Sequence, residues 1–197
     1  RIQIIPDMDQ APSFGPQQVH PLFADGRAMR PHVPGTVARG ELREDDHFFR
    51  GKVNGEWAKT FPEKDGDGNP LRMTMAFLER GRERYEIFCS SCHGLGVGGV
   101  TAGGGQLMGN GIVDQRATEL EQPLWIPPTS FHTDEVRGRA VGHLYNSIAN
   151  GIRPMPSYGS QIPPRDRWAI VAYLRALQRS QRGRIEDVPP ELREGLR

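Results

Sequence analysis

Residues 85–96 read YEIFCSSCHGLG, and they hold both cysteines of a 197-residue chain. Cys89 and Cys92 stand three positions apart and His93 follows directly, the spacing C-x-x-C-H. The stretch closes a longer run, TMAFLERGRERYEIF, in which Leu78, Gly81, Tyr85 and Phe88 recur at helical offsets with charges between them, after Thr74 as an N-cap. Two cysteines at a helix end reach both vinyl groups on one porphyrin edge and form thioethers, and the adjacent imidazole then meets the iron. The spacing points to one covalent haem c, with Cys89 and Cys92 as attachment residues and His93 as an iron ligand.

Three other uses of the motif fit less well. A disulfide oxidoreductase pair belongs in a βαβ context, and no such alternation surrounds it. A structural zinc site wants four ligands, normally from a second cysteine pair, which is absent. A plain structural disulfide leaves His93 unexplained.

A haem iron held by His93 needs a sixth ligand or an open face. The candidates are His20, His32, His47, His132 and His143, and Met8, Met29, Met73, Met75, Met108 and Met155. Met155 stands out in GIRPMPSYG (151–159), where prolines on both sides stiffen a loop between two expected helices. A thioether ligand must be presented by a segment with little freedom, and this one lies off any helical stripe. His143 and His132 remain the alternatives. Pro127 and Pro128, in IPPTSF (126–131), are candidates to offer the carbonyl that orients His93, since a ligating histidine usually donates its second nitrogen to such an acceptor. Tyr158, Trp168 and Arg153 are candidates for contact with the propionates.

The remaining chain is read more coarsely. It has 24 glycines and 17 prolines and only 36% hydrophobic residues, so much of it is neither regular helix nor strand. Residues 1–73 read as an extended arm that lies along something else, with a short hairpin at Asn54-Gly55. Residues 74–180 read as an all-α domain around the haem. Its parts are a helix into the motif, a glycine-rich irregular loop over 94–126, one helix in TDEVRGRAVGHLYNSIANG, and a final helix after Pro163-Pro164. Residues 181–197 read as a peripheral tail. DGDGN (65–69) lacks the later glutamate of a calcium loop and reads as a surface turn. A formal net charge of +1 gives no field suited to nucleic acid, and no apolar run approaches the roughly 18 residues of a membrane span. The opening RIQIIPD, without an initiator methionine, reads as that of a processed chain.

The order helix, C-x-x-C-H, loop, helix, M-P loop and final helix resembles the class I cytochromes c. There the first and last helices cross at a glycine facing an aromatic, which Gly81 and Tyr85 with Tyr173 or Trp168 match here. The arm FADGRAMRPHVPGTVARGELREDDHFFRGKVNG (23–55), together with LERGRERYEIFCSSCHG and MPSYGSQIPPRDRWAIVAYLRALQRSQ, resembles more narrowly the monohaem cytochrome c subunit of bacterial alternative complex III. That resemblance implies an electron-transfer subunit, not catalytic alone, in a membrane-bound quinol-oxidising respiratory complex. Its partners would be other subunits of the complex and a downstream cytochrome or oxidase. It implies the periplasmic side of the inner membrane, with a lipid anchor on an N-terminal cysteine that this chain does not contain and no transmembrane span. A free or singly tethered periplasmic electron shuttle is the alternative, and a haem enzyme or gas sensor a third.

Overall fold

The computed structural model describes residues 13–39, 41–95, 111–121, 124 and 126–193. The chain divides into two units, one up to Leu42 and one from Arg43 onward.

In the first unit the described backbone is a series of turns, and it folds on itself where an extended arm was expected. Val19 and Arg27 form an antiparallel bridge, and the His20 N–H donates to the Gly26 carbonyl at 2.9 Å. The rings of Phe14, His20 and Phe23 follow one another at 4.0 and 5.0 Å. The Arg30 guanidinium lies 4.1 Å from the Phe23 ring centroid and 2.6 Å from Asp25. These few rings cover one another but make no core. Val19, Leu22, Met29, Val33, Val37 and Leu42 stay exposed, Leu22 by 84%.

The second unit is helical apart from one hairpin. Its order is α1 (Asp46–Arg50), β1 (Lys52–Val53), β2 (Glu56–Trp57), α2 (Met75–Phe88), α3 (Ser90–His93), α4 (Ile112–Glu119), α5 (Asp134–Gly138), α6 (Val141–Asn150) and α7 (Pro164–Ser180). Two 3-10 turns, Ile185–Asp187 and Pro190–Leu192, follow. Helix α2 begins where Thr74 accepts a hydrogen bond from the Phe77 N–H, as its sequence predicts. It packs most extensively on α7, which starts at Pro164 and buries Trp168, Ile170, Val171, Leu174 and Leu177. The two helices cross at Gly81, where a Cβ would fall 2.1 Å from the Ala169 carbonyl oxygen and 3.1 Å from the Tyr173 Cβ. Tyr173, not Trp168, is therefore the aromatic at the crossing. A bidentate pair closes the same interface, with Arg80 donating to both Asp166 oxygens at 2.9 and 2.7 Å.

Trp168 has a different task. It is fully buried, its indole N–H donates to the Phe48 carbonyl at 2.9 Å, and it stacks on Tyr145 at 4.5 Å. Phe61 and His47 meet it edge-on at 5.7 and 5.9 Å. Phe48, Phe49, Phe61 and Leu71 thus enter the helical core, and the compact unit begins at Arg43 rather than at Thr74. The segment is fastened to α6 as well. A Cβ on Gly142 would fall 1.9 Å from the Gly51 carbonyl oxygen, and the Gly142 N–H donates to Ala58 at 2.9 Å. The hairpin turns at Asn54-Gly55, both with positive φ, as that pair demands.

Two further expectations change. The single helix read across residues 133–150 is two, α5 and α6, broken by extended backbone at Arg139 and Ala140. Arg175 of α7 supplies the reason, since its guanidinium donates to the carbonyls of Arg137 and Arg139, which a continuous helix would have used internally. The irregular loop read across 94–126 contains α4, while residues 96–110 lie outside the described residues. Asp65 in DGDGN forms a turn, accepting from the Asp67 and Asn69 N–H groups and from Arg165 at 2.6 Å.

The close approach at Gly81 yields a test by contrast. Gly81→Ala and Gly142→Ala each force backbone apart and should lower stability in urea by about 1–3 kcal/mol or more. Gly138→Ala, with no heavy atom within 4 Å of the new Cβ, should leave stability unchanged or raise it slightly. Equal effects at Gly81 and Gly138 would show that the crossing is not tight.

Candidate functional site

The motif sits where α2 ends and the chain tightens into a second turn. The Cys89 N–H donates to Tyr85 at 2.8 Å, and the Cys89 carbonyl accepts from Cys92 and His93 at 3.2 and 2.8 Å. Both thiols and the imidazole are thereby held on one turn, α3. Gly94 leaves it with φ +74°, and the buried Tyr85 hydroxyl donates to the Gly94 carbonyl at 2.8 Å, closing the turn from the core side. The α2–α7 crossing positions that hydroxyl, because Tyr85 packs on Tyr173 with ring centroids 5.5 Å apart.

The chemistry of the turn is that of two unpaired thiols and an uncharged imidazole. Cys89 and Cys92 are free and half-buried. Burial, and secondarily the neighbouring Cys92, pushes the Cys89 thiol up to about 12, which is the opposite of the lowered value a redox-active pair requires. Burial also pulls His93 down to about 4, so its imidazole is neutral and has a lone pair to give. Among the described residues no three His, Cys, Asp or Glu side chains gather into a direct metal site, so the zinc reading finds no ligand set. The surroundings are apolar and aromatic. Phe131 stacks on His93 at 4.6 Å with an interplanar angle of 22°, and Phe88, Phe131 and Tyr158 pack against the core beside Cys89. Two thiols, one neutral imidazole and an aromatic border fit a haem c.

The loop of Met155 is itself a tight turn. Ile152 and Met155 exchange backbone hydrogen bonds at 3.1 and 2.9 Å around Arg153, which has φ +51°. Ser157 and Tyr158 then tie the chain to α6, through Ala149 at 2.6 Å and Ile148 at 3.0 Å. Burial raises the pKa of the Tyr158 phenol, with smaller contributions from Cys92 and Cys89. Met155, three residues earlier, is half-buried.

The other sequence candidates part ways. Trp168 is a core residue whose N–H is committed to Phe48, so a role toward propionates is withdrawn. Arg153 is exposed on its turn. Pro127 and Pro128 belong to the stretch that ends at Phe131, whose ring lies against His93. His143 packs on Trp57 at 5.4 Å, His47 bonds the Thr60 carbonyl at 2.8 Å, and His132 is buried with its Nδ1 unpartnered among the described residues. Met29, Met73 and Met75 are exposed, and Met8 and Met108 lie outside the described residues.

Two site residues escape a reading of sequence alone. Phe131 carried no signal beyond its place after a double proline. A Cβ on Gly111 would fall 2.2 Å from the Ser91 carbonyl oxygen, so α4 starts flush against the motif turn, and a lone glycine in a glycine-rich stretch does not announce this.

Known proteins place this geometry. No curated protein matches the chain. Among solved structures, the reducing HAO-like protein complex of Kuenenia stuttgartiensis has a chain similar to this one at 23% identity and TM-score 0.41, covering 61% of this chain and 52% of that chain. This chain spans about half the length of that protein. Residues 76–174, half of the chain, match the family model described as Cytochrome C oxidase, cbb3-type, subunit III. They run from α2 through the C-x-x-C-H turn to α7, and the chain belongs to that family of cytochrome c domains, for which haem c is the implied cofactor.

Proposed function

We propose that this chain holds one haem c through Cys89 and Cys92, with His93 and Met155 as the axial ligands, and passes electrons as a subunit of a membrane-bound quinol-oxidising complex. The observation that carries the reading is the turn that holds Cys89, Cys92 and His93 together, with Phe131 stacked on the imidazole, inside the segment that matches the cytochrome family model. The bound group supplies reversible one-electron exchange at its iron. The chain's part is to hold His93 neutral in a half-buried turn, to offer the Met155 sulfur from a loop pinned to α6, and to keep water away with Phe131, Phe88 and Tyr158. Ligands on both axial sites leave no position for a substrate, which suits transfer rather than catalysis on a bound molecule. A methionine ligand also favours a higher potential than a second histidine.

The finer role rests on the first unit. The arm of residues 23–55 resembles that of the alternative complex III cytochrome subunit, and among the described residues up to Leu42 eight large apolar side chains are exposed, Phe14 and Phe23 included. Such surface is ordinarily covered by another protein. The formal net charge of +1 provides little electrostatic steering for a diffusing shuttle. Among the described residues no helix is long and apolar enough to cross a membrane, so the proposed attachment is through partner subunits, or a lipid, on the periplasmic side.

Replacing both cysteines, Cys89→Ala with Cys92→Ala, should give a colourless product in reduced yield from a host able to attach haem c. Mass spectrometry of the native chain should show one added porphyrin, and a native mass without it overturns the assignment. Met155→Ala should keep the covalent haem, lose the weak methionine–iron band at the red end of the visible spectrum, and let the reduced protein bind carbon monoxide that the native protein refuses. For the complex, solubilised membranes of the native host should release the chain with quinol-oxidising activity. A monomer indifferent to those membranes would instead support the free shuttle.

A further inference from the structure

Arg167 is buried on α7 without a carboxylate partner among the described residues. Its neighbour Asp166 is also buried but has Arg80. The Arg167 guanidinium instead donates to three neutral oxygens, through Nε to the Ile162 carbonyl at 2.7 Å, Nη2 to the Gly159 carbonyl at 2.7 Å and Nη1 to the Tyr145 hydroxyl at 3.1 Å. The Tyr145 ring lies beside it, 5.5 Å from Cζ to centroid, and the Tyr145 hydroxyl donates onward to the Phe49 carbonyl at 3.2 Å. A cation taken out of water with no counter-charge is costly, and only well-directed bonds to every donor offset that cost. A planar fork of donors meets this need where a lysine or an amide does not.

What the fork joins is specific. Gly159 and Ile162 are the two ends of the second half of the Met155 loop. This half is itself a turn, in which the carbonyl of Tyr158, just before Gly159, accepts from the Gln161 and Ile162 N–H groups at 3.1 and 2.9 Å. The first half of the loop is tied to α6 through Ser157 and Tyr158. Gly159 also presses on α6, since a Cβ there would fall 2.5 Å from the Ala149 carbonyl oxygen. Arg167 is thus the link that makes this loop follow α7, whose crossing with α2 places the motif turn.

We infer that Arg167 is the positioning residue for the Met155 loop, holding Gly159 and Ile162 so that Tyr158 and Met155 stay at the C-x-x-C-H turn. The inference rests on the reading of Met155 as an axial ligand. A fork, not a charge, is what it requires.

The test uses holoprotein with Arg167→Lys, which keeps the charge and most of the stem, and with Tyr145→Phe, which removes one acceptor and spares the fold should the lysine variant not accumulate. Amide hydrogen exchange is followed at Met155, Tyr158, Gln161 and Ile162 and, for comparison, within α2. The methionine–iron band and the midpoint potential are recorded alongside. In Arg167→Lys the loop amides should exchange about tenfold faster or more, the effect of losing charge-assisted bonds, while α2 amides hold. The methionine band should weaken and the potential should fall. Tyr145→Phe should move the same quantities less. Unchanged loop exchange, or faster exchange shared equally with α2, overturns the positioning role. Faster loop exchange in a protein whose native form already lacks the methionine band would locate the fault in the Met155 reading, and overturns the inference with it.

Discussion

Two helix backbones touch at Gly81 and Ala169, and the site depends on that contact. Any side chain at position 81 would hold α2 and α7 apart, because the Ala169 carbonyl occupies the space. With the helices in contact, Tyr85 meets Tyr173, its hydroxyl reaches Gly94, and the turn carrying Cys89, Cys92 and His93 is closed from beneath. The same contact brings Arg80 onto Asp166 at the start of α7. One residue further along α7 is Arg167, which reaches the other side of the site. A backbone crossing therefore supports both the C-x-x-C-H turn at the end of α2 and the start of α7.

Around that crossing, the features legible in sequence were those written locally. C-x-x-C-H, the Thr74 cap, the Asn54-Gly55 turn and the Pro163-Pro164 start of α7 each depend on a few adjacent residues, and each stands where it was expected. Gly81 was legible for a different reason, through the resemblance to the class I cytochromes c, whose first and last helices cross at a glycine. Met155 was singled out by its flanking prolines, and it closes a turn in which it bridges back to Ile152.

What stayed hidden was written at long range. Five residues of α1 do not make a periodic pattern, and nothing near Phe48 says that its carbonyl will receive the Trp168 indole from 120 positions away. Trp168, a candidate for a propionate by sequence, gives its N–H to that same carbonyl instead. The break between α5 and α6 depends on Arg175, which follows it by some forty residues in the chain. Helix α4 has Ile112 and Val113 side by side rather than on a stripe, no side-chain cap and no buried member, so its support comes from the turn it leans on.

That support has a consequence for how the chain can vary. Leu95 leaves the C-x-x-C-H turn, and Gly111 lies against the backbone of the same turn, so two positions well apart in sequence meet at one spot. The entropy of closing such a span grows only with the logarithm of its length. Relatives should therefore be able to gain or lose many residues between these two points without disturbing the cysteines, the histidine or the helices behind them. Length differences within the family ought to collect there.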